Sequence, residues 1–342
     1  MKLIRTEDAA GHVLCHDLTQ IIPGVKKDAA FRKGHVVTKE DIPVLLSMGK
    51  EHLYVWEKTE GMLHEDEAAE ILKDICINEN MTYTAPKEGK IEITAICDGV
   101  LKIDTKRLDS INALGEIMIA TRHGNFPVKK GDKLAATRVI PLVIAEEKMK
   151  NCKKAAGEEP LLAILPFTHK KVGIITTGSE VFKGRIEDAF GPAIRAKLAE
   201  YDTEILGQKI LDDDEEGIIA AIHDFIADGA DMVLCTGGMS VDPDDKTPGA
   251  IKRSGAHVVS YGAPVLPGAM FLLAYYDYQG RKIPVMGLPG CVMYAKRTIF
   301  DLVLPRVLAD EILDEKDLYT LGEGGLCLNC NICTFPNCGF GK

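Results

Sequence analysis

No apolar run in this 342-residue chain reaches the ~18 residues that a membrane-spanning helix needs. The N-terminus also lacks an apolar core. Met1-Lys-Leu-Ile-Arg-Thr-Glu-Asp8 is charged almost at once, so no secretory signal peptide is expected. Positive charge is scarce: 41 Lys and Arg stand against 51 Asp and Glu, a net charge of −10. That balance excludes a broad nucleic-acid footprint but leaves room for a small anion held by local groups. We therefore expect a cytoplasmic protein with neither nucleic acid nor membrane as a partner.

Cysteine is not scarce. Six of the ten are scattered, and Cys76 and Cys235 among these read as buried apolar residues. The other four crowd into the last sixteen residues. In a reducing compartment such crowding favours metal over disulfides.

The length allows two or more domains. Residues 1–60 read as a small α/β unit, with a short helix through Val44, Leu45 and Met48 and an alternating strand His52–Trp56. Residues 64–77 place Ala68, Ile71, Leu72 and Ile75 on one helical face. Residues 82–145 alternate and are punctuated by Asp98-Gly99, His123-Gly124 and Lys130-Gly-Asp132, so they read as mainly β with one helix near 107–114. Residues 146–160 are charged, a linker or exposed helix. We expect 1–160 to form a mixed α+β N-terminal region rich in strands.

From Lys171 a regular rhythm begins. Val172–Thr177, Glu204–Leu211, Asp231–Cys235, 256–261 and Arg281–Gly287 read as strands, separated by helices near 188–200, 218–226 and 247–254. The last strand is expected to turn at Leu288-Pro-Gly290 into a long helix through Ile299, Phe300, Val303 and Val307. Strand and helix alternating at this rhythm imply an α/β domain over 161–312, a three-layer structure on a mostly parallel sheet. Residues 313–342 would form a Cys-rich tail.

The polar residues of this half follow the strands. Gly178-Ser179-Glu180 follows the first, Asp212–Asp214 the second, Gly237, Gly238, Ser240, Asp242, Asp244 and Asp245 the third, and Pro289-Gly290 the last. In a parallel sheet these ends share one edge, where ligands bind. Glycine-lined backbone suits phosphate. Carboxylates suit Mg²⁺ together with phosphate oxygens. Taken alone, Asp212–Asp214 would be explained as a helix N-cap with favourable dipole charges.

Thr177-Gly-Ser-Glu180, Gly237-Gly-Met-Ser-Val-Asp-Pro-Asp-Asp245, Pro267-Gly268 and Gly287-Leu-Pro-Gly290 resemble the motif series of the molybdopterin-binding domain. The resemblance spans about 170–310 and is nearest to the molybdopterin molybdenumtransferases of molybdenum-cofactor biosynthesis. Ala10-Gly-His-Val-Leu14, Gly34-His-Val-Val-Thr38 and Met48-Gly49 resemble, more loosely, the first domain of those enzymes. The resemblance implies Mg²⁺-dependent insertion of molybdate into molybdopterin with release of AMP. Glu180, Asp213 and Asp245 would be catalytic, with Glu180 and Asp245 on magnesium. Thr177, Gly178, Ser179, Gly237, Gly238, Ser240, Asp244, Gly268, Pro289 and Gly290 would bind the cofactor, which is adenylylated in that reaction. A homodimer is implied as well.

The chain departs from the family pattern in several places. Ser179 replaces the usual Asp. Leu266-Pro-Gly-Ala-Met270 lacks both lysines of the usual Lys-Pro-Gly-Lys-Pro. Phe190 stands for an asparagine, Cys291-Val292 for Asn-Pro, and the family's C-terminal β domain is absent from these residues. In its place Cys327, Cys330, Cys333 and Cys338 are spaced by two, two and four residues, resembling a ferredoxin cluster loop more than paired zinc ligands. A second function therefore stands beside the transferase: a cofactor carrier or chaperone for a molybdoenzyme, with a metal- or sulfur-handling tail. A nucleotide pyrophosphatase-like relative is a third reading.

Overall fold

The computed structural model describes residues 2–22, 26–55 and 60–342. The chain forms two compact units. One comprises Met1–Ile96, Ile103–Arg122 and Lys130–Ala163; the other comprises Cys97–Lys102, His123–Lys129 and Ile164–Lys342.

The first unit is α+β. Lys2–Arg5 pairs antiparallel with His52–Val55, and Leu18–Ile22 with Lys26–Phe31. The helix Asp41–Ser47 closes a small core of Ala9, Leu14, Leu18, Phe31, Val37, Leu45 and Leu53. Trp56, expected to end the strand at His52, lies outside the described residues. An antiparallel sheet follows, in the order Met81–Tyr83, Lys90–Ala95, Lys133–Val139, Ile117–Thr121. The helix Glu65–Cys76 starts with a capping box, in which His64 accepts from the Asp66 N–H and Glu67 accepts from the His64 N–H. The helix expected near 107–114 runs from Thr105 to Asn112, and the charged stretch after 145 is the helix Glu146–Ala156.

The second unit is α/β, built on six strands: β1 (Lys170–Thr177), β2 (Thr203–Leu211), β3 (Met232–Thr236), β4 (His257–Tyr261), β5 (Leu272–Tyr278) and β6 (Arg281–Leu288). Their order is β2-β1-β3-β6-β5-β4. All are parallel except β5, which runs antiparallel to both neighbours. The longer helices of this unit are α1 (Phe190–Leu198), α2 (Glu215–Ala227), α3 (Thr247–Arg253) and α4 (Ile299–Leu308), and Ser179–Phe182 and Glu315–Tyr319 form short ones. Ile194 and Leu198 of α1 and Ile299, Phe300 and Val303 of α4 pack on one face. Ile218, Ile222, Phe225 and Ile226 of α2 and Ala250 and Ile251 of α3 pack on the other. A sheet covered on both faces makes three layers, and explains why Val172–Ile175 of β1 and Met232–Cys235 of β3 read as apolar runs. Gly173 lets α2 lie close: a Cβ there would stand 2.4 Å from the Phe225 ring.

Two elements differ from expectation. β5 was not foreseen. The helix after Leu288-Pro-Gly290 is also not continuous. A 3₁₀ turn, Gly290–Met293, ends first, and α4 starts afresh at Thr298, whose hydroxyl accepts from the Phe300 N–H while Asp301 accepts from the Thr298 N–H. Pro289 is extended, with ψ 157°, so no helix could run through it.

Candidate functional site

The parallel strands deliver four loops to one edge. β1 ends at Thr177, opposite Leu211 at the end of β2; Thr236 ends β3, opposite Leu288 of β6. A cavity of about 380 Å³ lies among the loops. Thr177, Gly178, Gly237, Gly238 and Ser240 line it, with Pro289 and Gly290 across from them. The carboxylates of Glu180, Asp213 and Asp245 face the same space.

Two of these carboxylates also hold loops in place. Asp213 Oδ2 accepts from the Ser179 N–H at 2.9 Å, tying the loop after β2 to the loop after β1. Asp245 Oδ2 accepts from the Ser240 N–H at 2.7 Å and closes its own loop. The second oxygen of each has no partner among the described residues. Burial pushes the Asp213 carboxyl above its ordinary pKa; the Ser179 N–H pulls it back, and Glu180, Asp212 and Asp245 push it further up. Asp214 has a different task. It is the N-cap of α2 and accepts from the Gly217 N–H at 3.0 Å. Helix capping thus accounts for Asp214, while its neighbour Asp213 turns to the cavity.

Gly237 is required by a close approach. Its φ is +84°, and a Cβ there would stand 2.0 Å from the Thr177 carbonyl oxygen. The exit of β3 can pass the end of β1 only without a side chain. Two residues that support this turn carry no sequence motif. The buried Thr247 hydroxyl, at the start of α3, donates to the Gly237 carbonyl at 2.8 Å and stands 3.1 Å from the Thr177 hydroxyl. The Tyr261 hydroxyl, at the end of β4, donates to the Met239 carbonyl at 2.9 Å. Sequence patterns gave Thr247 only as a helix start and Tyr261 only as a strand residue.

An apolar wall, unanticipated from the sequence, completes the cavity: Val181, Ile186, Phe190, Met239, Met270 and Met293. No Lys, Arg or His lines it among the described residues. Several expected site residues lie elsewhere. The Ser179 side chain is off the lining, and its backbone N–H is held by Asp213. Asp244 is exposed and off the lining. Gly268 abuts α4, where a Cβ would meet Ile299 at 2.6 Å; Met270 of the same segment reaches the cavity instead. Cys327, Cys330, Cys333 and Cys338 line a separate cavity of about 280 Å³. Among the described residues no three His, Cys, Asp or Glu side chains converge as the ligands of one ion. Among them, too, no helix is long and apolar enough to cross a membrane.

A family described as "Probable molybdopterin binding domain" matches residues 173–309, and one described only as a domain of unknown function matches residues 3–57. A CinA-like protein of Mycobacterium sp. (strain JLS) is 35% identical over 83 residues, covering 24% of this chain and 20% of its own length. A molybdopterin molybdenumtransferase of Synechococcus elongatus is 28% identical over 142 residues, covering 39% of this chain and 34% of its own. The chain thus spans about a fifth to a third of the length of these curated relatives. The crystal structure of the tungsten cofactor synthesizing protein MoaB from Pyrococcus furiosus aligns with a TM-score of 0.35 at 26% identity, covering 41% of this chain and 92% of that one.

Proposed function

We propose, from the premise that residues 173–309 are a molybdopterin-binding domain related to the proteins of molybdenum-cofactor biosynthesis, that this chain binds adenylylated molybdopterin and inserts molybdate with release of AMP. The observation that carries the reading is the meeting of the Gly237–Gly238 turn with Glu180, Asp213 and Asp245 around one cavity. Backbone N–H groups of such a turn suit phosphate oxygens. The apolar wall of Phe190, Met270 and Met293 offers a flat ring a dry surface.

With acidic groups and no basic residue on the lining, a phosphate would be repelled unless a divalent ion stood between them. Mg²⁺ uses one or two carboxylates together with phosphate oxygens. The unpartnered oxygens of Asp213 and Asp245 fit that demand, with Glu180 beside them. When bound, magnesium would draw charge from the phosphate that joins AMP to the pterin. The residues of the chain do the positioning. Asp213 and Asp245 fix the ion relative to loops they already hold, and the Ser240 hydroxyl and glycine amides orient the phosphate. Molybdate is the second substrate.

Purified chain incubated with adenylylated molybdopterin, molybdate and Mg²⁺ should release AMP. Asp245→Ala should lower the rate by about 100-fold or more, the scale of losing one electrostatic stabiliser. Asp245→Asn keeps an acceptor for the Ser240 N–H, so it should retain pterin binding while losing AMP release. Tight pterin binding by the unaltered chain with no AMP released would sink insertion and leave the second reading, a carrier or chaperone for a molybdoenzyme. The absence of both lysines beside Pro267–Gly268 favours that second reading.

The raised pKa of Asp213 gives a pH signature. Metal binding needs the ionised carboxylate, so a group that keeps its proton to higher pH loses metal earlier as pH falls. At limiting Mg²⁺, AMP release should decline on acidification while the pH is still above the ordinary aspartate range. Asp213→Asn should lower the plateau and remove that acid limb. An unchanged limb in Asp213→Asn would assign it to another group.

A further inference from the structure

The four tail cysteines are unused by the cofactor cavity, and the way the chain presents them is specific. Cys327, Cys330, Cys333 and Cys338 all line one cavity of about 280 Å³. No Asp, Glu or His lines it among the described residues. Leu326, Leu328, Phe335 and Phe340 give it apolar walls beside Asn329 and Thr334, and two cations, Lys296 and Arg297, border it. All four thiols are free.

We propose that these four thiolates hold an iron–sulfur cluster. A single tetrahedral zinc ion would draw its sulfurs to about 2.3 Å from one point, and so to about 3.8 Å from one another. The four cysteines line a cavity instead, and among the described residues no three potential ligands converge on one point. A cluster binds its thiolates on different irons, so its ligands surround a body rather than an ion. Three cysteines at two-residue spacing on one short loop, with a fourth returning from further along, are suited to such wrapping. A cluster bound by four thiolates is anionic, which suits a rim carrying Lys296 and Arg297 and no carboxylate.

The chain around the cysteines is already closed into a loop. The Gly341 N–H donates to the Gly324 carbonyl at 2.9 Å, joining the two ends. At Gly324 a Cβ would stand 2.1 Å from the Lys342 carbonyl oxygen, so only glycine permits that junction. Lys296 Nζ donates to the carbonyls of Cys330 and Asn331 at 2.9 and 2.8 Å. Phe340 is buried, Phe335 packs on Phe126, and the Arg297 guanidinium lies over the Phe335 ring. Between these anchors residues 326–340 contain no helix or strand, while Leu328 and Ile332 are 77% and 81% exposed. A stretch of that length with so little apolar burial of its own is uncommon in a compact domain unless it serves a function. A small loop of this kind is ordinarily held by a metal centre or disulfides. On assembly of a four-iron, four-sulfide cluster from equal amounts of ferrous and ferric iron and sulfide, each thiol gives up its proton to solvent and a sulfur–iron bond forms; the iron oxidation states are those supplied, so no electron is gained or lost.

This assignment is independent of the pterin reading, because its test contains no pterin. Full-length chain should be purified without oxygen from iron-supplied cells, or reconstituted with equal amounts of ferrous and ferric iron and sulfide. Iron and acid-labile sulfide should be found in similar amounts, with visible charge-transfer absorption and a paramagnetic resonance signal after dithionite reduction. Cys330 and Cys333 are exposed, so Cys330→Ser/Cys333→Ser should lose the iron and the absorption while keeping the thermal transition of the unaltered apoprotein. Cys97→Ser should keep both iron and absorption. Zinc bound in place of iron, a disulfide within the loop and no metal, or full iron retention in the double serine variant would each overturn the proposal.

Discussion

Gly237→Ala is expected to leave a chain that no longer binds the pterin phosphate and whose second unit unfolds well below the unaltered protein. Two costs add. The residue sits at φ +84°, a left-handed conformation that costs an alanine roughly 1–2 kcal/mol. The new Cβ would also lie 2.0 Å from the Thr177 carbonyl oxygen. Thr177 ends β1, and Thr176 just before it is in register with Thr236 of β3, so neither strand can withdraw without loosening the ladder. Crowding of this kind adds about 1–3 kcal/mol. Gly280→Ala is the control. Gly280 also has positive φ, +78°, but a Cβ there would meet nothing within 4 Å. It should cost only the conformational term, roughly 1–2 kcal/mol, and leave binding intact. Urea unfolding and titration calorimetry read the two effects. Equal stability losses in the two variants would show that the close approach at Gly237 has no energetic weight.

The second large effect is expected at Asp301, which does not line the cofactor cavity. Its carboxylate is 4% exposed and accepts from Lys197 Nζ at 2.7 and 2.9 Å, from Arg297 at 2.9 Å and from the Thr298 N–H at 2.7 Å. Lys197 is itself buried on α1. Among the described residues Asp301 is the one carboxylate bonded to the Lys197 ammonium, and Asp301→Ala removes it and also breaks the capping box of α4. Breaking one side of a buried pair costs about 3–5 kcal/mol, because the remaining charge stays desolvated. Lys197→Met combined with Asp301→Ala should recover a large part of the loss, since the stranded charge is then gone. A loss under about 1 kcal/mol in Asp301→Ala would mean that water reaches Lys197 and that the pair is not a structural tie.

The legible part of the fold was the part governed by burial on both faces. Val172–Ile175 and Met232–Cys235 are apolar throughout because helices cover both sides of the sheet, and a glycine two or three positions further on, Gly237 and Gly178, marked the end of each. β5 was hidden for a physical reason. It enters against the parallel rhythm through the turn Gln279-Gly280, whose φ values of +50° and +78° are those of a tight hairpin turn. Glutamine there carries none of the Asn or Asp signal by which such turns are read. The restart of α4 was present as Thr298-Ile-Phe-Asp301, a capping box with Asp in the Glu position. In the site, the glycines and carboxylates could be read because they follow strands. The division of labour between Asp213 and Asp214 could not, because it depends on where the loop after β1 brings the Ser179 N–H. Thr247 and Tyr261 arrive from other elements, and the apolar wall gathers single residues from several loops, so neither leaves a local pattern.

The ties among these loops bear on how a ligand would be received. Ser179 is held by Asp213, Gly237 by Thr247, Met239 by Tyr261 and Ser240 by Asp245. Each tie joins backbone to a side chain, and three of the four reach across to another element. The cavity walls are therefore arranged before anything enters. Little conformational freedom of the loops is left to be lost on association, so that part of the cost of binding is small. This is preorganisation, and it makes the pocket a rigid template to which the ligand must conform.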